Sequence, residues 1–259
     1  MIRIGTSGYS YEDWVGPVYP EGTKSRDYLR HYIRLFDTVE INYTYYRPPS
    51  EQTLAAMAAI APEGFLFTLK ATRQMTLEAC QDPRIYSQYA SALAPLIDSG
   101  KFGAVLLQFP NAFKLSRAAV KHLEFIRNQW PDMSLVVEFR DRSWVEDTRT
   151  FDFLRDHNLA FCCVDQPQFK SLLPPVAAFT AEPAYVRLHG RNHQKWWHHD
   201  HAWERYDYLY DEEELRQWLP KVRQLDEAAR TTYVMFNNHH VGQAVQNAQQ
   251  LTELLHEGI

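Results

Sequence analysis

Eight short apolar segments recur along the chain, and a polar or ionisable residue follows almost every one of them. The segments lie roughly 30 residues apart with helix-like patterns between them, a layout that predicts βαβ units and a parallel sheet. If those strands close into a barrel, their C-terminal ends meet around one mouth. The residues expected at that mouth are Thr6, Ser7, Glu40, Lys70, Gln108, Glu138, Asp165, Arg187, His189 and Asn237.

Hydrophobic periodicity places the elements along the chain. It predicts strands over 2–5, 38–41, 65–69, 104–107, 135–137, 161–164, 185–188 and 233–236. It predicts helices over 28–36, 86–97, 116–128, 151–157 and 241–255, and another that begins at Ser50, a suitable N-cap. We therefore predict one α/β domain over 1–259, a (β/α)8 TIM-type barrel with a parallel closed sheet surrounded by helices. An open doubly wound sheet is the alternative, because strand number alone does not establish closure.

Composition narrows the classes of function. The net charge of −5 gives no general positive field, so it does not favour nucleic acid, and any such site must be a local patch. Three cysteines, Cys80, Cys162 and Cys163, without CxxC spacing, fit a reducing compartment. Neither a signal-peptide pattern nor an apolar run near the ~18 residues of a membrane span is visible. We expect a cytoplasmic protein without a membrane contact; the sequence does not specify its oligomeric state.

The ionisable strand ends are candidate acid–base groups. Glu40, Lys70, Glu138, Asp165 and His189 are the catalytic candidates, because each can exchange a proton in a partly dry pocket. Structural ion pairs are the alternative, with Glu40 pairing with Lys70 across the next strand. Likewise, Glu138 can pair with Arg140 two residues later on the same strand face, with Trp144 packing over the pair.

A divalent metal is a further alternative, since the three carboxylates with His189 and His239 offer oxygen and nitrogen ligands. No HxH or HExxH spacing accompanies them. The cations that would crowd such a metal are Lys70, Arg140, Arg187 and Arg191. We therefore predict no cofactor and keep a divalent metal as an open alternative.

The positive charges indicate an anion instead. Arg187 and Arg191 follow the seventh strand, and Asn237 and Asn238 lead from the eighth strand into the last helix. In TIM barrels these two connections frequently bind phosphate, because free helix N–H groups favour an anion. In the alternative, Arg187 only neutralises Asp165 or Glu138.

Aromatic and amide side chains near the strand ends complete the predicted pocket. An aromatic wall can stack on a base or a sugar, although many such aromatics belong to the core. The rings expected in it are Tyr9, Tyr11, Trp14, Tyr45, Tyr46 and Trp144. The ligand-binding candidates of this kind are Tyr9, Trp14, Asn42, Tyr46, Gln108 and Trp144, together with Arg140. The histidines at 193, 198, 199 and 201 fit a solvated loop better than a metal cluster, because adjacent side chains diverge on a regular backbone.

Seven segments in order resemble the YecE-like family, also called domain of unknown function 72. They are IGTSGYSYEDWVGPVYP at 4–20, FDTVEINYTYYRPPS at 36–50, FLFTLKAT at 65–72, VLLQFP at 105–110, VVEFRDRSW at 136–144, YVRLHGR at 185–191 and FNNHHVGQAVQNA at 236–248. The resemblance covers essentially the whole chain and implies a TIM-type barrel. The family has no established biochemical function, so the resemblance implies positions for a site and no reaction.

These observations lead to a hypothesis and two alternatives. The hypothesis is an enzyme, of hydrolase or lyase type, whose barrel mouth binds a small anionic ligand, phosphorylated and nucleotide- or sugar-like. Arg187, Arg191 and Asn238 would hold the anion, and Glu138 or Glu40 would act as base or acid. The first alternative is a non-catalytic nucleic-acid or nucleotide binding protein. The second is glycoside hydrolysis by Glu138 and Asp165, which requires two carboxyl groups about 5–9 Å apart.

Overall fold

A parallel eight-stranded barrel forms the centre of the computed structural model, which describes residues 1–257. The strands are β1 (Ile2–Thr6), β2 (Thr38–Ile41), β3 (Leu66–Lys70), β4 (Phe102–Gln108), β5 (Leu135–Glu138), β6 (Leu159–Asp165), β7 (Ala184–Leu188) and β8 (Thr232–Phe236). Each pairs in parallel with its neighbours in the order β1-β8-β7-β6-β5-β4-β3-β2. The seam between β1 and β2 closes where Gly8 N–H donates to Glu40 O at 2.8 Å.

Helices surround the barrel and bury one face against it. They are α1 (Tyr28–Tyr32), α2 (Glu51–Ile60), α3 (Arg73–Thr76), α4 (Pro83–Ala92), α5 (Ala94–Asp98), α6 (Arg117–Gln129), α7 (Ser143–Glu146), α8 (Arg149–Asp156), α9 (Glu212–Arg216), α10 (Leu219–Ala228) and α11 (Gln243–His256). Short 3₁₀ turns lie at Glu12–Trp14, Ser25–Asp27, Tyr43–Tyr45, Ala202–Tyr206 and His240–Gly242.

The predicted barrel is confirmed, and with it the closed sheet rather than the open one. All eight predicted strands are present, with ends shifted by two residues or fewer. The helix predicted over 86–97 divides at Leu93, because Pro95 starts the short α5 and cannot donate the backbone hydrogen bond that would continue α4. The periodicity over 28–36 produces only the five residues of α1 before turns take over.

Two further differences lie near the end of the chain. The last helix begins at Gln243 rather than 241, because Gly242 has a left-handed φ of 82° that interrupts the helical backbone. The sequence prediction did not include α10, whose Val222 and Leu225 are buried against the barrel. Four of its ten residues are charged, namely Lys221, Arg223, Asp226 and Glu227, which weakens the apolar signal of the segment.

Close backbone approach at the seam requires a glycine in β1. A Cβ added at Gly5 would lie 2.4 Å from Thr38 O, so no larger residue fits without moving β1 from β2. This approach lets the loop after β1 contact the end of β2, where Glu40 is buried. No helix within 1–257 has the length and apolar character to cross a membrane.

Candidate functional site

A buried arginine joins two carboxylates inside the barrel mouth. Arg187, from β7, donates from Nη2 to Glu40 Oε1 and from Nη1 to Glu138 Oε2, both at 2.6 Å. All three side chains are almost completely buried. Arg187 Nη2 also lies 3.2 Å from Ser7 Oγ, so the guanidinium reaches strands β1, β2 and β5 across the barrel. These contacts confirm convergence of the strand ends.

The second oxygen of Glu138 meets two more groups. Arg140 Nε lies 2.7 Å from Glu138 Oε1, and His189 Nε2 lies 3.2 Å from the same atom. His189 Nδ1 is 3.0 Å from Asn237 Nδ2, which fits an imidazole that accepts there and directs its Nε2–H toward Glu138. Glu138 and Arg140 therefore do pair, as the sequence alternative supposed. Trp144, however, does not cover that pair.

Charge and burial fix the protonation states of this cluster. Burial acts to raise the pKa of the Glu138 carboxyl, but the charges of Arg140 and Arg187 outweigh burial and hold that pKa well below its usual value. Burial and the nearby Arg140 lower the pKa of His189 to about 3. At neutral pH Glu138 is thus an anion and His189 is neutral, so neither is a proton donor of ordinary acidity there.

The second carboxylate oxygen of Glu40 is bound by another residue of β7. Tyr185 donates its hydroxyl hydrogen to Glu40 Oε2 at 2.8 Å, and Thr68 Oγ1 lies 2.8 Å from the same hydroxyl. The Glu40–Lys70 pair that the sequence suggested is wrong: Glu40 pairs with Arg187. Arg187 likewise pairs with Glu138 rather than with Asp165. The planar guanidinium places one terminal nitrogen on each carboxylate, so a single side chain pairs with both.

A cavity of about 540 Å³ lies above this cluster, at the C-terminal ends of β1 to β4 and β8. Seven predicted site residues line it: Tyr9, Asn42, Tyr46, Lys70, Gln108, Arg187 and Asn237. The lining also contains Tyr11, expected in the aromatic wall, and His239, considered for a metal. Tyr43 and Tyr206 also line it, and the sequence did not indicate either one. Glu40, Glu138, Arg140 and His189 lie outside the lining, within the ion cluster.

Lys70 has an unusual place in the cavity wall. Its carbonyl oxygen accepts hydrogen bonds from Thr44 Oγ1 at 2.6 Å and from the Tyr89 hydroxyl at 3.0 Å, which fix the backbone. Within 1–257 its Nζ has neither a hydrogen bond nor an ion pair, and it lies 4.3 Å from the centroid of the Tyr45 ring. Burial, with the positive charge of Arg187, lowers the pKa of Lys70 to about 7.

Several buried polar atoms of the lining have no hydrogen-bond partner in the described part of the chain. They are Asn42 Oδ1, the Tyr43 hydroxyl, Arg187 Nε and His239 Nδ1. Buried polar atoms are nearly always paired in folded proteins, so these four side chains give the cavity wall hydrogen-bonding groups that the described residues do not satisfy. Burial lowers the pKa of His239 to about 4, which leaves its imidazole neutral at physiological pH.

Aromatic rings line one side of the cavity, but they are not all the rings that the sequence indicated. Tyr11 stacks on His239 with ring centroids 4.4 Å apart, and the centroid of the Tyr206 ring lies 5.8 Å from that of His239. Trp14 is fully buried behind them, and its Nε1 donates to His239 O at 2.7 Å. Trp14 therefore positions the wall instead of touching a ligand in the cavity.

The rim on the β2 side carries an exposed aromatic ring and a cation. Tyr46 is 85% exposed although its neighbours in the wall are mostly buried, so its ring is available for stacking. The Arg47 guanidinium lies 5.8 Å from the centroid of the Tyr43 ring. Among the described residues Arg47 has no carboxylate partner within ion-pair distance, in contrast to the arginines on β5 and β7.

Asp165 belongs to a separate network. Its two carboxylate oxygens accept from Arg191 Nε at 2.8 Å and Nη2 at 2.7 Å, from the Tyr210 hydroxyl at 2.9 Å and from Trp218 Nε1 at 2.8 Å. These partners lie on the helix side of β6 and not in the cavity. The structure therefore does not bring Asp165 or Arg191 to the predicted mouth. The arrangement also gives Glu138 and Asp165 no shared pocket for glycoside hydrolysis.

Two other ligand-binding candidates lie away from the cavity. Asn238 Nδ2 donates to Tyr208 O at 2.8 Å and to Asn247 Oδ1 at 2.9 Å, so it anchors the long loop after β7. Trp144 stacks on Phe139 with centroids 4.0 Å apart and donates to Phe113 O. The Trp144 indole nitrogen and the Asn238 amide nitrogen thus have protein partners, and neither side chain lines the cavity, although Asn238 Oδ1 has no hydrogen-bond partner within 1–257.

The groups proposed for a metal do not form a metal site. Within 1–257, no three histidine, cysteine or acidic side chains are grouped suitably for a metal ion. Glu40, Glu138 and Asp165 each contact an arginine instead. In the loop after β7, His201 stacks on Trp203, whose other neighbour is His240 at 4.2 Å.

Another groove, of about 660 Å³, lies near the N-terminal end of β1. Ile2, Ile4, Ile33, Phe36 and Leu255 supply most of its apolar lining. Conserved chemistry in this fold belongs at the C-terminal strand ends, and the opposite end stabilises the barrel. We therefore place the candidate site in the smaller cavity.

Arg187→Met should destabilise the fold strongly, because it leaves Glu40 and Glu138 buried with less positive charge. We expect a loss of about 3–5 kcal/mol in the free energy of unfolding, measured by urea denaturation. Adding Glu40→Gln should restore roughly half of that loss, since Glu138 keeps Arg140.

The matched control is Arg142→Met, which removes an exposed pair with Glu146 at 3.4 Å. It should change the free energy of unfolding by less than about 1 kcal/mol. Equal effects of the two single substitutions would contradict the structural importance of Arg187.

Lys70 should react as a neutral amine near neutral pH. Its rate of acetylation by acetic anhydride should rise with pH around a midpoint near 7, whereas an ordinary lysine has a midpoint near ~10.4. Peptide mass spectrometry after brief labelling measures each lysine separately. A Lys70 curve superimposed on that of exposed Lys121 would contradict the expectation.

Comparisons with known proteins agree with the barrel. The model of a protein family described as "Protein of unknown function DUF72" matches residues 3–259. The UPF0759 protein YunF of Bacillus subtilis is 30% identical, over 98% of this chain and 95% of that protein.

Solved structures agree as well. A DUF72 family protein from Thermotoga maritima is 39% identical, covers 99% of both chains and superposes with a TM-score of 0.91. A DUF72 family protein from Enterococcus faecalis is 27% identical, with a TM-score of 0.87, over 99% of this chain and 96% of that one. The chain therefore belongs to the DUF72 family.

Proposed function

We propose that the cavity is the active site of an enzyme, of hydrolase or lyase type, for a small anionic nucleotide- or sugar-like ligand. The observation that carries the proposal is the group of unpartnered buried polar atoms around the cavity. A ligand with hydroxyl or carbonyl groups would satisfy Asn42, Tyr43 and His239 together. Hydrogen bonds to these unpaired atoms would provide specificity, because a ligand without matching groups would leave the atoms without partners.

The anion would bind on the β2 and β3 side, not between β7 and β8. Arg191 and the amide nitrogen of Asn238 donate their hydrogen bonds outside the cavity, and Arg187 has both terminal nitrogens on carboxylates. Arg47 at the rim has no carboxylate partner within the described chain and is solvent exposed. A phosphate or carboxylate there would gain a bidentate contact, with Tyr46 available to stack on a base or sugar.

Lys70 is the group best suited to move a proton. A general base works best when its pKa lies near the operating pH, and burial beside Arg187 brings the pKa of Lys70 to about 7. Glu40 and Glu138 would act indirectly, by holding Arg187 in place. This assigns the base differently from the sequence hypothesis, in which a carboxylate held that role.

A second candidate is non-catalytic binding of a nucleotide or single-stranded nucleic acid. The exposed Tyr46 ring beside Arg47 favours it, since stacking on an aromatic next to a cation is typical of such sites. Binding of this kind would depend steeply on salt and proceed without chemical change of the ligand.

Binding should depend on Arg47, and turnover on Lys70. With sulfate, ribose 5-phosphate and adenosine monophosphate as probes, we expect thermal stabilisation of the wild type by the probes that fit. Arg47→Gln should weaken that binding about tenfold, as for the loss of one charge-assisted contact of ~1.4 kcal/mol. Incubation followed by phosphorus and proton NMR then reports turnover, which Lys70→Met should lower by about 10²-fold or more.

Two variants serve as controls. Lys221 also lies over an aromatic ring, 4.6 Å from the Trp218 centroid, but its Nζ donates to Pro175 O outside the cavity. Lys221→Met and the exposed Arg117→Gln should leave binding and turnover unchanged. The proposed site would be refuted if all four variants lost binding equally, or if neither the variants nor the wild type bound any probe. Salt-sensitive binding by the wild type without turnover would support the second candidate.

A further inference from the structure

We infer that Lys70 is a covalent nucleophile, whose Nζ forms an imine with the carbonyl carbon of an anionic aldehyde or ketone. This inference rests on the proposed function and deepens it, by naming the class of substrate. It depends on three features: an amine without a protein partner, a cationic neighbour that keeps the amine uncharged, and polar groups around the same cavity that fit a carbonyl oxygen.

The ion cluster is what leaves the amine free. Glu40 and Glu138 would be the natural partners of a buried lysine, but both have their oxygens on Arg187, Arg140 and Tyr185. Lys70 Nζ lies instead against the Tyr45 ring, while the backbone of the lysine is fixed at its carbonyl oxygen. A lysine desolvated next to another cation is an established way to expose its nitrogen lone pair to an electrophile.

The reaction balances without a further reagent. The nitrogen lone pair forms a C–N bond while the carbonyl π electrons move to oxygen. The two amine hydrogens then leave with that oxygen as water, and C=N forms. Burial raises the pKa of Tyr43, so its hydroxyl stays protonated and can donate a hydrogen bond to the departing oxygen. Neutral His239 Nδ1, also unpartnered within 1–257, can accept a proton from the nitrogen or from water.

The wall explains why the carbonyl compound should be anionic. Lys70 lines the cavity, whereas Arg47 lies outside the lining, 5.8 Å from the centroid of the Tyr43 ring, which lines it. A ligand with a carbonyl at one end and a phosphate or carboxylate at the other would meet both groups. An anion next to Lys70 itself would raise its pKa and protect it with a proton, so the separation of the two groups favours the amine's reactivity.

Reductive trapping tests the inference. The protein is incubated with pyruvate, dihydroxyacetone phosphate or neutral acetone in the presence of cyanoborohydride. The reagent adds hydride to the imine carbon and leaves a stable secondary amine. Peptide mass spectrometry should find the adduct on Lys70 at about ten times the yield of any other lysine. Lys70→Met and Lys70→Arg should lack it, and Lys221→Met should retain it.

The role of the anion is tested in parallel. Arg47→Gln should reduce trapping of dihydroxyacetone phosphate about tenfold and leave trapping of acetone unchanged. Adducts spread over the surface lysines, with none enriched at Lys70, would overturn the inference. If sulfate or ribose 5-phosphate still binds in an Arg47-dependent way, the proposed cavity stands and only imine chemistry is rejected. If that binding is also absent, the proposed function fails as well.

Discussion

One guanidinium determines how the barrel mouth is organised. Arg187 places its two terminal nitrogens on Glu40 and Glu138, and so ties β7 to β2 and to β5 across the interior. Two carboxylates in a dry interior would be too costly without this charge, and a half-paired arginine would be costly too. The pairing therefore fixes which strand faces point inward, and every other polar contact of the mouth is arranged around it.

The same pairing stabilises the buried carboxylates and leaves the amine of Lys70 without a carboxylate partner. A buried lysine normally finds a carboxylate, and its pKa then stays high. Here both nearby carboxylates are engaged, and burial with the charge of Arg187 outweighs the opposing effect of Glu138 and Glu40 on the pKa of Lys70. Of the ion cluster only Arg187 lines the cavity, so Glu138 and His189 influence the site through their contacts within the cluster.

Sequence reasoning recovered the barrel and the convergence of strand ends, because hydrophobic periodicity and parallel topology determine both. It could not tell which residues of a strand point into the barrel and which point toward the helices, because alternation alone does not identify the inward face. On β6, Cys162 Sγ lies 3.9 Å from Glu138 Oε2, so alternation turns Cys163 and Asp165 toward the helices. Tyr185 shares the inward face of Arg187 by the same rule and could have been found. The sequence could not place three further residues near the cavity, because they lie in turns, where side-chain direction follows no regular periodicity: Tyr43, Tyr206 and Arg47.

Charge placement also constrains what the cavity can bind. Each unit by which an approaching anion raises the pKa of Lys70 corresponds to about 1.4 kcal/mol of added preference for the charged, unreactive amine. A ligand anion close to Lys70 would therefore bind well and inhibit chemistry. One held at Arg47, across the Tyr43 ring, would bind without protonating the amine. A ligand whose carbonyl and anionic groups are separated can therefore use both residues, whereas an anion without a carbonyl group can only bind.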